Sequence, residues 1–214
     1  SSGWARARGG GDDGQRIQLP ARGASRNKSQ IDPHTNILRA TSEAMAAAIA
    51  GVDCITVPPF DAALGESGPL SRRIARNLQL ILQDELRLTE LIDPAGGSWH
   101  VEKLTDQLAQ AAWKMFQDIE AGGGMLAALQ AGTIQARIAD IAERRQSDLE
   151  AGDAVLVGVN AYLNPDEVVP PPRERAQPPA GDFADTGAIT AAPFKPRRLA
   201  ESFEARRQSA GAKA

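Results

Sequence analysis

Residues 71–124 read SRRIARNLQLILQDELRLTELIDPAGGSWHVEKLTDQLAQAAWKMFQDIEAGGG. Apolar residues recur at helical spacing near both ends of this stretch. The strand-like run LTELIDP lies between them and is followed by a glycine-rich turn. A strand, a turn and a helix in this order are typical of a β/α unit rather than of a helical bundle. The stretch therefore predicts an α/β protein with a strand at residues 88–92.

The sequence upstream of this stretch predicts two more strands, each followed by a helix. RIQLPA at residues 16–21 is expected to form a short strand, and the run at 54–57 a buried parallel strand. Asp32-Pro33 and Gly68-Pro69 are expected to open the helices, with Asp32 as an N-cap. Three parallel β/α units fit either part of a (β/α)8 barrel or a small doubly wound sheet.

The sequence downstream of residue 100 is predicted to be mainly helical. Apolar spacing indicates a helix over residues 104–119 and a second over about 125–145, and the glycines at 122–124 separate them. In the second helix the residues expected to face inward are Leu129, Ile134, Ile138 and Ile141. A short strand or extended segment is expected at 155–159.

Composition suggests how the chain is organised around these elements. Residues 1–14 are expected to be a loop, and residues 15–162 the folded α/β region. Prolines, alanines, glycines and charges without periodicity indicate a Pro-rich linker or disordered tail at 163–196. Residues 197–214 are expected to form a short terminal helix and tail.

Charge and cysteine content exclude several classes of protein. The formal net charge of −3 gives no general electrostatic reason to expect binding to nucleic acid or to an anionic membrane. No apolar run approaches the length of about 18 residues that a membrane span needs. The single cysteine, Cys54, excludes an internal disulfide and fits a reducing, cytoplasmic setting. It is expected to be a buried small apolar group on its strand.

Five ordered motifs carry a resemblance to one family. They are SRNKSQIDPHTNILRATSEAMAAA (25–48), SRRIARNLQLILQDE (71–85), DPAGGSWHVEKLTD (93–106), QDIEAGGGMLAAL (117–129) and VLVGVNAY (155–162). The sequence resembles the cobalamin-dependent acyl-CoA mutases, the methylmalonyl-CoA mutase family. The resemblance implies that residues 15–162 are the C-terminal portion of a TIM (β/α)8 barrel, about three β/α units, with extra helices. It also suggests a truncated or excised product.

The sequence departs from the catalytic chains of this family at two places. Catalytic chains resemble H-x-Q-T-S-G-W after the sixth barrel strand, whereas residues 20–26 here read PARGASR. They resemble T-Q-S-L-H-T-N across the seventh strand, whereas residues 52–58 read VDCITVP. The histidines, the glutamine and the asparagine are absent. The resemblance therefore implies the small, non-catalytic subunit, which stabilises a catalytic partner in a heterodimer.

This resemblance sets the expected activity and cofactor. The family is an isomerase that interconverts methylmalonyl-CoA and succinyl-CoA through a radical supplied by adenosylcobalamin. We expect the partner or a missing domain to bind that cofactor, and this chain alone to be inactive. Two alternatives are a fragment of a divergent catalytic mutase that another chain completes, and a free-standing inactive α/β module.

Three residues are candidates for contact with an acyl-CoA substrate: Arg22, Ser25 and Arg72. Arg22 lies where the strands of the family aim side chains into the barrel, and Arg72 begins a basic helical turn. A guanidinium suits bidentate contact with phosphate. The alternatives are packing for Arg22 and a solvated helix face for Arg72. We expect no catalytic, cofactor-binding or metal-binding residue on this chain.

The segment at residues 32–34 partly matches the cobalamin signature of this family. The family binds cobalamin through Asp-x-His-x-x-Gly, and residues 32–34 read Asp-Pro-His. Ile37 stands where the signature requires glycine. The segment is therefore predicted to be the start of a helix.

Overall fold

The computed structural model describes residues 18–168, 170–174 and 191–211. Its strands and helices, in chain order, are β1 (Pro20–Arg22), α1 (Thr35–Ile49), β2 (Cys54–Thr56), α2 (Pro69–Leu80), α3 (Trp99–Ala121), α4 (Gly124–Gln130), α5 (Thr133–Ala151) and α6 (Glu201–Gly211). The helical turn at Ile81–Glu85 prolongs α2, and single 3-10 turns occur at Ala62–Leu64 and Leu88–Glu90. The predicted loop at 1–14 and the middle of the predicted linker, 175–190, lie outside the described residues.

β1 and β2 form a parallel pair, and α1 is the crossover between them. The strand register is given by the pairs Pro20–Cys54, Ala21–Ile55 and Arg22–Thr56. Parallel neighbours cannot be joined by a tight turn, so a helix between them is expected. The first hydrophobic cluster fills the space between the sheet and two helices, and its buried members are Ala40, Ala44, Leu78 and Leu82, with Ile55, Val57 and Leu88 packed against them. This parallel pair and its helical crossover confirm the predicted α/β fold class.

A second hydrophobic cluster joins α6 to the end of α5. Its buried members are Leu149, Leu156, Val159 and Ala200. Asn160 stabilises the turn that follows α5, because its side-chain amide donates to the carbonyl oxygens of Leu149 (2.9 Å) and Ala154 (2.8 Å). The C-terminal helix therefore folds back onto the body of the molecule. It starts at Glu201, inside the region predicted to carry it.

The strand predicted at residues 88–92 is wrong. Leu88–Glu90 forms a 3-10 turn, and only Leu91 has extended backbone angles (φ −108°, ψ 130°). A strand needs a neighbour that exchanges backbone hydrogen bonds with it, and the described sheet consists of β1 and β2. Leu91 and Ile92 are accordingly exposed, Ile92 at 98%. The described residues thus contain two β/α units in place of the three that we expected.

The two strands are shorter and more exposed than predicted. β2 spans Cys54–Thr56, and of its three side chains only that of Ile55 is partly buried. In a two-stranded sheet both strands are edges, and alternate side chains point away from the helices. Cys54 is therefore exposed, and its predicted burial is wrong. At 155–159, where a short strand or extended segment was expected, the pairing is a single bridge between Val157 and Ala161.

The predicted start of the first helix is also wrong. Asp32 is not the N-cap of α1, because its backbone is left-handed (φ 48°) and the helix begins at Thr35. The carboxylate of Asp32 accepts a hydrogen bond from the Thr35 hydroxyl instead. α2 does begin at Pro69 directly after Gly68, as the sequence indicates.

The helices after residue 98 differ from the prediction in extent. α3 begins at Trp99, earlier than expected. The helix predicted over 125–145 is divided at Gly132, whose φ of 74° turns the chain between α4 and α5. Ile138 and Ile141 of α5 do not face inward, since 50% and 44% of their surface is exposed.

α3 has an apolar stripe that no described residue covers. None of its 23 residues is buried. Exposed members of this helix include Leu104, Leu108, Met115 and Phe116. Phe116 stacks on Trp113 with ring centroids 5.3 Å apart, and more than half of Trp113 is exposed. No helix of the described part is long and apolar enough to cross a membrane.

Candidate functional site

A cleft of about 810 Å³ opens at the carboxyl ends of the two strands. β1 and β2 are parallel, so Arg22 and Thr56 end at the same edge of the sheet. In parallel α/β sheets this edge is where ligands bind. Three segments line the cleft: residues 22–28 after β1, residues 58–65 after β2, and residues 196–201 before α6.

Gly23 allows the segments after β1 and β2 to meet. Its amide donates to the carbonyl oxygen of Thr56 at 3.0 Å, which continues the ladder by one bond. A Cβ at this position would lie 2.7 Å from Cδ of Pro58 and 2.8 Å from Oε2 of Glu43. Any larger residue would therefore push the two walls of the cleft apart.

The segment after β1 is anchored to α1 by Glu43. Its Oε1 accepts hydrogen bonds from Nζ of Lys28 (2.8 Å) and Nδ2 of Asn27 (2.6 Å), and its Oε2 accepts from the amide of Ala24 (3.2 Å). Lys28 is 3% exposed. Because this ammonium is buried and already paired, it holds the wall in place and does not present a charge to the cleft.

A second carboxylate, Asp61, anchors the wall that follows β2. It is 3% exposed, and its Oδ2 accepts from the amide of Gly68 (3.1 Å) and from Nη1 of Arg173 (2.6 Å). The amide of Arg173 also donates to the carbonyl oxygen of Leu64 (2.6 Å), which lines the cleft. Arg173, inside the predicted linker, therefore packs against the folded region.

The environment of Asp61 favours its charged form. Burial by itself would raise the pKa of this carboxyl group, but hydrogen bonds outweigh burial and lower the pKa below its ordinary value. The donors are the hydroxyls of Ser71 and Ser67, the amide of Gly68 and the guanidinium of Arg173. Asp61 is therefore an ionised structural anchor at neutral pH and not a general acid.

The third wall is held by the pair Arg198–Glu204. Nη1 and Nη2 of Arg198 donate to Oε1 and Oε2 of Glu204 at 2.8 and 2.9 Å, a bidentate pair. The amide of Leu199 donates to the carbonyl oxygen of Arg26 at 2.7 Å. These contacts bring the segment before α6 against the segment after β1.

The structure brings together two of the three predicted substrate residues. Arg22 and Ser25 both line the cleft, and both are exposed. Within the described residues Arg22 forms no ion pair. Arg72 does not line the cleft; its Nη1 lies 3.3 Å from Oε1 of Glu66, and both side chains are 56% exposed.

Sequence reasoning missed the arginines at 197 and 198. Both line the cleft, although they lie more than 170 positions after Arg22. No local pattern links residues so far apart. The local signal that existed was the predicted terminal helix at 197–214, which begins with these two arginines.

The arrangement suits anion binding and offers little for acid–base chemistry. Arg22, Arg197 and Ser25 line a shared space, and neither histidine nor cysteine is among its described lining residues. The one carboxylate in the described lining, Glu201, accepts from the amide of Arg198 at 3.1 Å. His34 lies elsewhere, with its ring centroid 5.1 Å from that of Phe60. In the described parts of the chain, no three His, Cys, Asp or Glu side chains come close enough to hold a metal ion.

Comparison with protein families gives one match over most of the chain. A family model described as methylmalonyl-CoA mutase matches residues 4–180. The match includes both strands, the helices α1 to α5 and two of the three walls of the cleft.

Comparison with curated proteins gives relatives of two kinds. The methylmalonyl-CoA mutase small subunit of Streptomyces virginiae is 41% identical over 175 residues, which cover 76% of this chain and 28% of that protein. The small subunit of Porphyromonas gingivalis is 40% identical over 142 residues, 66% of this chain and 23% of that protein. A Rhizobium meliloti protein named methylmalonyl-CoA mutase is 44% identical over 131 residues, 61% of this chain and 18% of that protein. The chain thus spans less than a third of each relative.

Proposed function

The chain belongs to the methylmalonyl-CoA mutase family, and on this basis we propose that it serves as part of the non-catalytic small subunit. In this role it stabilises a catalytic partner in a heterodimer. The observation that carries the proposal is the lining of the cleft, which contains arginines and a serine but, among the described residues, no histidine. Identity alone does not decide between the two kinds of relative, since it is 41% for one and 44% for another.

The extent of the alignments also supports the small-subunit assignment. The Streptomyces virginiae small subunit aligns over 175 residues and that of Mycobacterium tuberculosis over 155. The proteins named simply methylmalonyl-CoA mutase align over 131 residues in Rhizobium meliloti and 134 in Escherichia coli. The small subunits therefore resemble a longer part of this chain.

For the fold, we propose that β1, α1, β2 and α2 are two consecutive units from the C-terminal portion of a (β/α)8 barrel. The parallel register and the helical crossover support this assignment. The cleft would then lie at the catalytic end of the barrel.

For the substrate, we propose that this cleft takes a phosphate-bearing end of an acyl-CoA. Arg22 supplies a guanidinium for the phosphate and Ser25 a hydroxyl. Arg72 remains a predicted contact, although it lies on α2 outside the cleft lining. The isomerase activity, which interconverts methylmalonyl-CoA and succinyl-CoA, would belong to the complex, and its setting would be the cytoplasm.

The described residues do not fit cobalamin. His34 directly precedes α1 with its ring tilted against that of Phe60, and Ile37 occupies the place of the signature glycine inside the helix. We therefore assign adenosylcobalamin to the partner or to a domain beyond this chain.

Size-exclusion chromatography with light scattering tests the subunit role. The chain is run alone and with a catalytic mutase subunit, and we expect a stoichiometric complex only in the mixture. Alone, it should give no mutase activity and no cobalamin absorbance after incubation with adenosylcobalamin. Firm binding of that cofactor by the isolated chain would refute the small-subunit role. A well-folded monomer that ignores the partner would favour the free-standing module.

A further inference from the structure

The loop that follows β1 is held from two opposite sides. We call residues 25–31 the mouth loop, because Ser25 and Lys28 in it line the cleft. On one side Asn36 of α1 fixes it: the amide of Ser29 donates to Oδ1 of Asn36 (3.1 Å), and Nδ2 of Asn36 donates back to the Ser29 carbonyl oxygen (2.8 Å). Asn36 and Ser29 are fully buried.

On the other side the mouth loop meets Glu204 of α6. Oε1 of Glu204 accepts from the amide of Gln30 at 2.7 Å and from the hydroxyl of Ser29 at 3.4 Å. The same carboxylate accepts hydrogen bonds from Nη1 and Nη2 of Arg198. Nη1 of Arg198 also donates to the carbonyl oxygen of Lys28 at 3.4 Å. Glu204 is 5% exposed. A buried carboxylate therefore joins the C-terminal helix to the backbone of the cleft wall.

We propose that Glu204, together with Arg198, is a positioning residue that sets the place of the mouth loop in the cleft wall. The partly buried Gln30 amide has Glu204 as its acceptor, and an amide shielded from water without an acceptor is costly. Loss of the carboxylate would release this side of the loop. Ser25, at the start of the same loop, would then no longer have a fixed position relative to Arg22.

Glu204 is not needed to dock α6 on α5, because other contacts hold this helix. Oγ of Ser202 accepts from Nε2 of Gln146 (2.8 Å), and Nη2 of Arg206 donates to Oε1 of Glu150 (2.9 Å). Phe203 packs against the second hydrophobic cluster. α6 is thus docked on α5 without Glu204, whereas Gln30 of the mouth loop depends on it.

The test compares Glu204→Ala with Glu150→Ala. Both variants remove an arginine–glutamate pair of α6, but no contact joins Glu150 to the mouth loop among the described residues. Alanine also leaves no side-chain oxygen to accept from the Gln30 amide. Amide hydrogen exchange is followed at Gln30, in α1 and in α6. We expect Gln30 to exchange at least about tenfold faster in Glu204→Ala and at the unchanged rate in Glu150→Ala. Unchanged exchange at Gln30, or an equal rise throughout α6, would overturn the positioning role.

A second readout is the affinity for coenzyme A, with Arg22→Ala as the positive control. We expect Glu204→Ala to weaken binding several-fold and Glu150→Ala to leave it unchanged. This arm rests on the proposed function. If the unmodified chain does not bind coenzyme A, the substrate proposal fails and the exchange rate at Gln30 alone decides the positioning role. If it binds, and Glu204→Ala changes neither affinity nor exchange, only the positioning role fails.

Glu204→Asp keeps the test decisive if Glu204→Ala does not fold. The shorter carboxylate retains the charge for Arg198 but reaches the Gln30 amide less well. We expect exchange at Gln30 between that of the unmodified chain and that of a fully released loop, with α6 unchanged. If Glu204→Asp folds and its Gln30 amide exchanges as slowly as in the unmodified chain, the proposal is refuted.

Discussion

Two buried carboxylates, Asp61 and Glu204, each bind an arginine, which is 112 positions away for Asp61 and six positions away for Glu204. Arg173 reaches Asp61, and Arg198 reaches Glu204. Each pair anchors one wall of the cleft. Removing one partner of a buried pair leaves a charge without compensation and is strongly destabilising. Arg173 is half exposed, so water weakens the electrostatic part of its contribution.

At the residue scale, Asp61→Asn should make stability less dependent on pH. The pKa of Asp61 is lowered in the folded state from an ordinary value of 3.8. A lowered pKa gives a stabilisation that is complete above that ordinary value and is lost as the pH falls through the folded pKa. We therefore expect Asp61→Asn to reduce the free energy of unfolding by about 1–3 kcal/mol at pH 7, and by progressively less below pH 3.8.

Urea unfolding at pH 7, 5 and 3 measures this difference. Asp140→Asn is the matched control, because Asp140 pairs with Arg144 on the surface of α5 and both side chains are about two-thirds exposed. Its effect should stay within about 0.5 kcal/mol at every pH. A difference for Asp61→Asn that is independent of pH would contradict the assigned charge.

Residue positions could be predicted from the sequence only where a local signal existed. Arg22 could be predicted because the family resemblance places it on a barrel strand, and the cleft with Ser25 in its lining lies at the end of that strand. The contact of Glu204 with the mouth loop and the place of Arg197 beside Arg22 in the cleft could not be predicted, since more than 170 positions separate these residues. Cys54 was misplaced because periodicity cannot tell a strand inside a sheet from a strand at its edge.

At the element scale, α2 turns one buried face toward α1. Leu78 is 7% exposed and lies in the first hydrophobic cluster, whereas Leu80, two positions later, is 45% exposed. Leu78→Asp should lower stability by more than about 3 kcal/mol, because it buries a charge without a partner and opens a cavity. Leu80→Asp should cost less than about 1 kcal/mol.

Thermal unfolding of the two variants checks the register of α2. The same substitution on the same helix controls for helix propensity and for added charge. Equal melting temperatures would show that the buried face is assigned wrongly.

Helix starts were predictable where one residue pair decides them, and strands were not. Gly68-Pro69 fixes the start of α2, because proline fits the first helical position and needs no hydrogen-bond donor there. The Asp32-Pro33 pair is similar in sequence, yet α1 starts at Thr35. Residues 88–92 are apolar enough for a strand, but strand formation depends on a neighbour that no local pattern specifies.

At the scale of the whole molecule, the buried hydrophobic residues form two separate clusters. The exposed helix α3 lies between them in the sequence. One cluster joins the sheet to α1 and α2, and the other joins α5 to α6. α3 contributes to neither, and none of its residues is buried. Local opening should therefore cost least in α3.

Hydrogen exchange followed by mass spectrometry tests this difference. We expect peptides from α3 to exchange at least about tenfold faster than peptides from α1, whose residues Ala40 and Ala44 are buried. α1 serves as the internal reference, and a fully unfolded sample sets the upper limit. Equal protection of the two helices would mean that α3 is covered in solution.

Cys54 is a single natural attachment site for an optical reporter. It is the sole thiol of the sequence and is exposed on β2, so a maleimide dye would attach at one defined site without any mutation. Such a dye would be next to the edge of the sheet where a further strand could add. Its emission would shift when a neighbouring chain displaces water there, and the kinetics of assembly could be followed in real time.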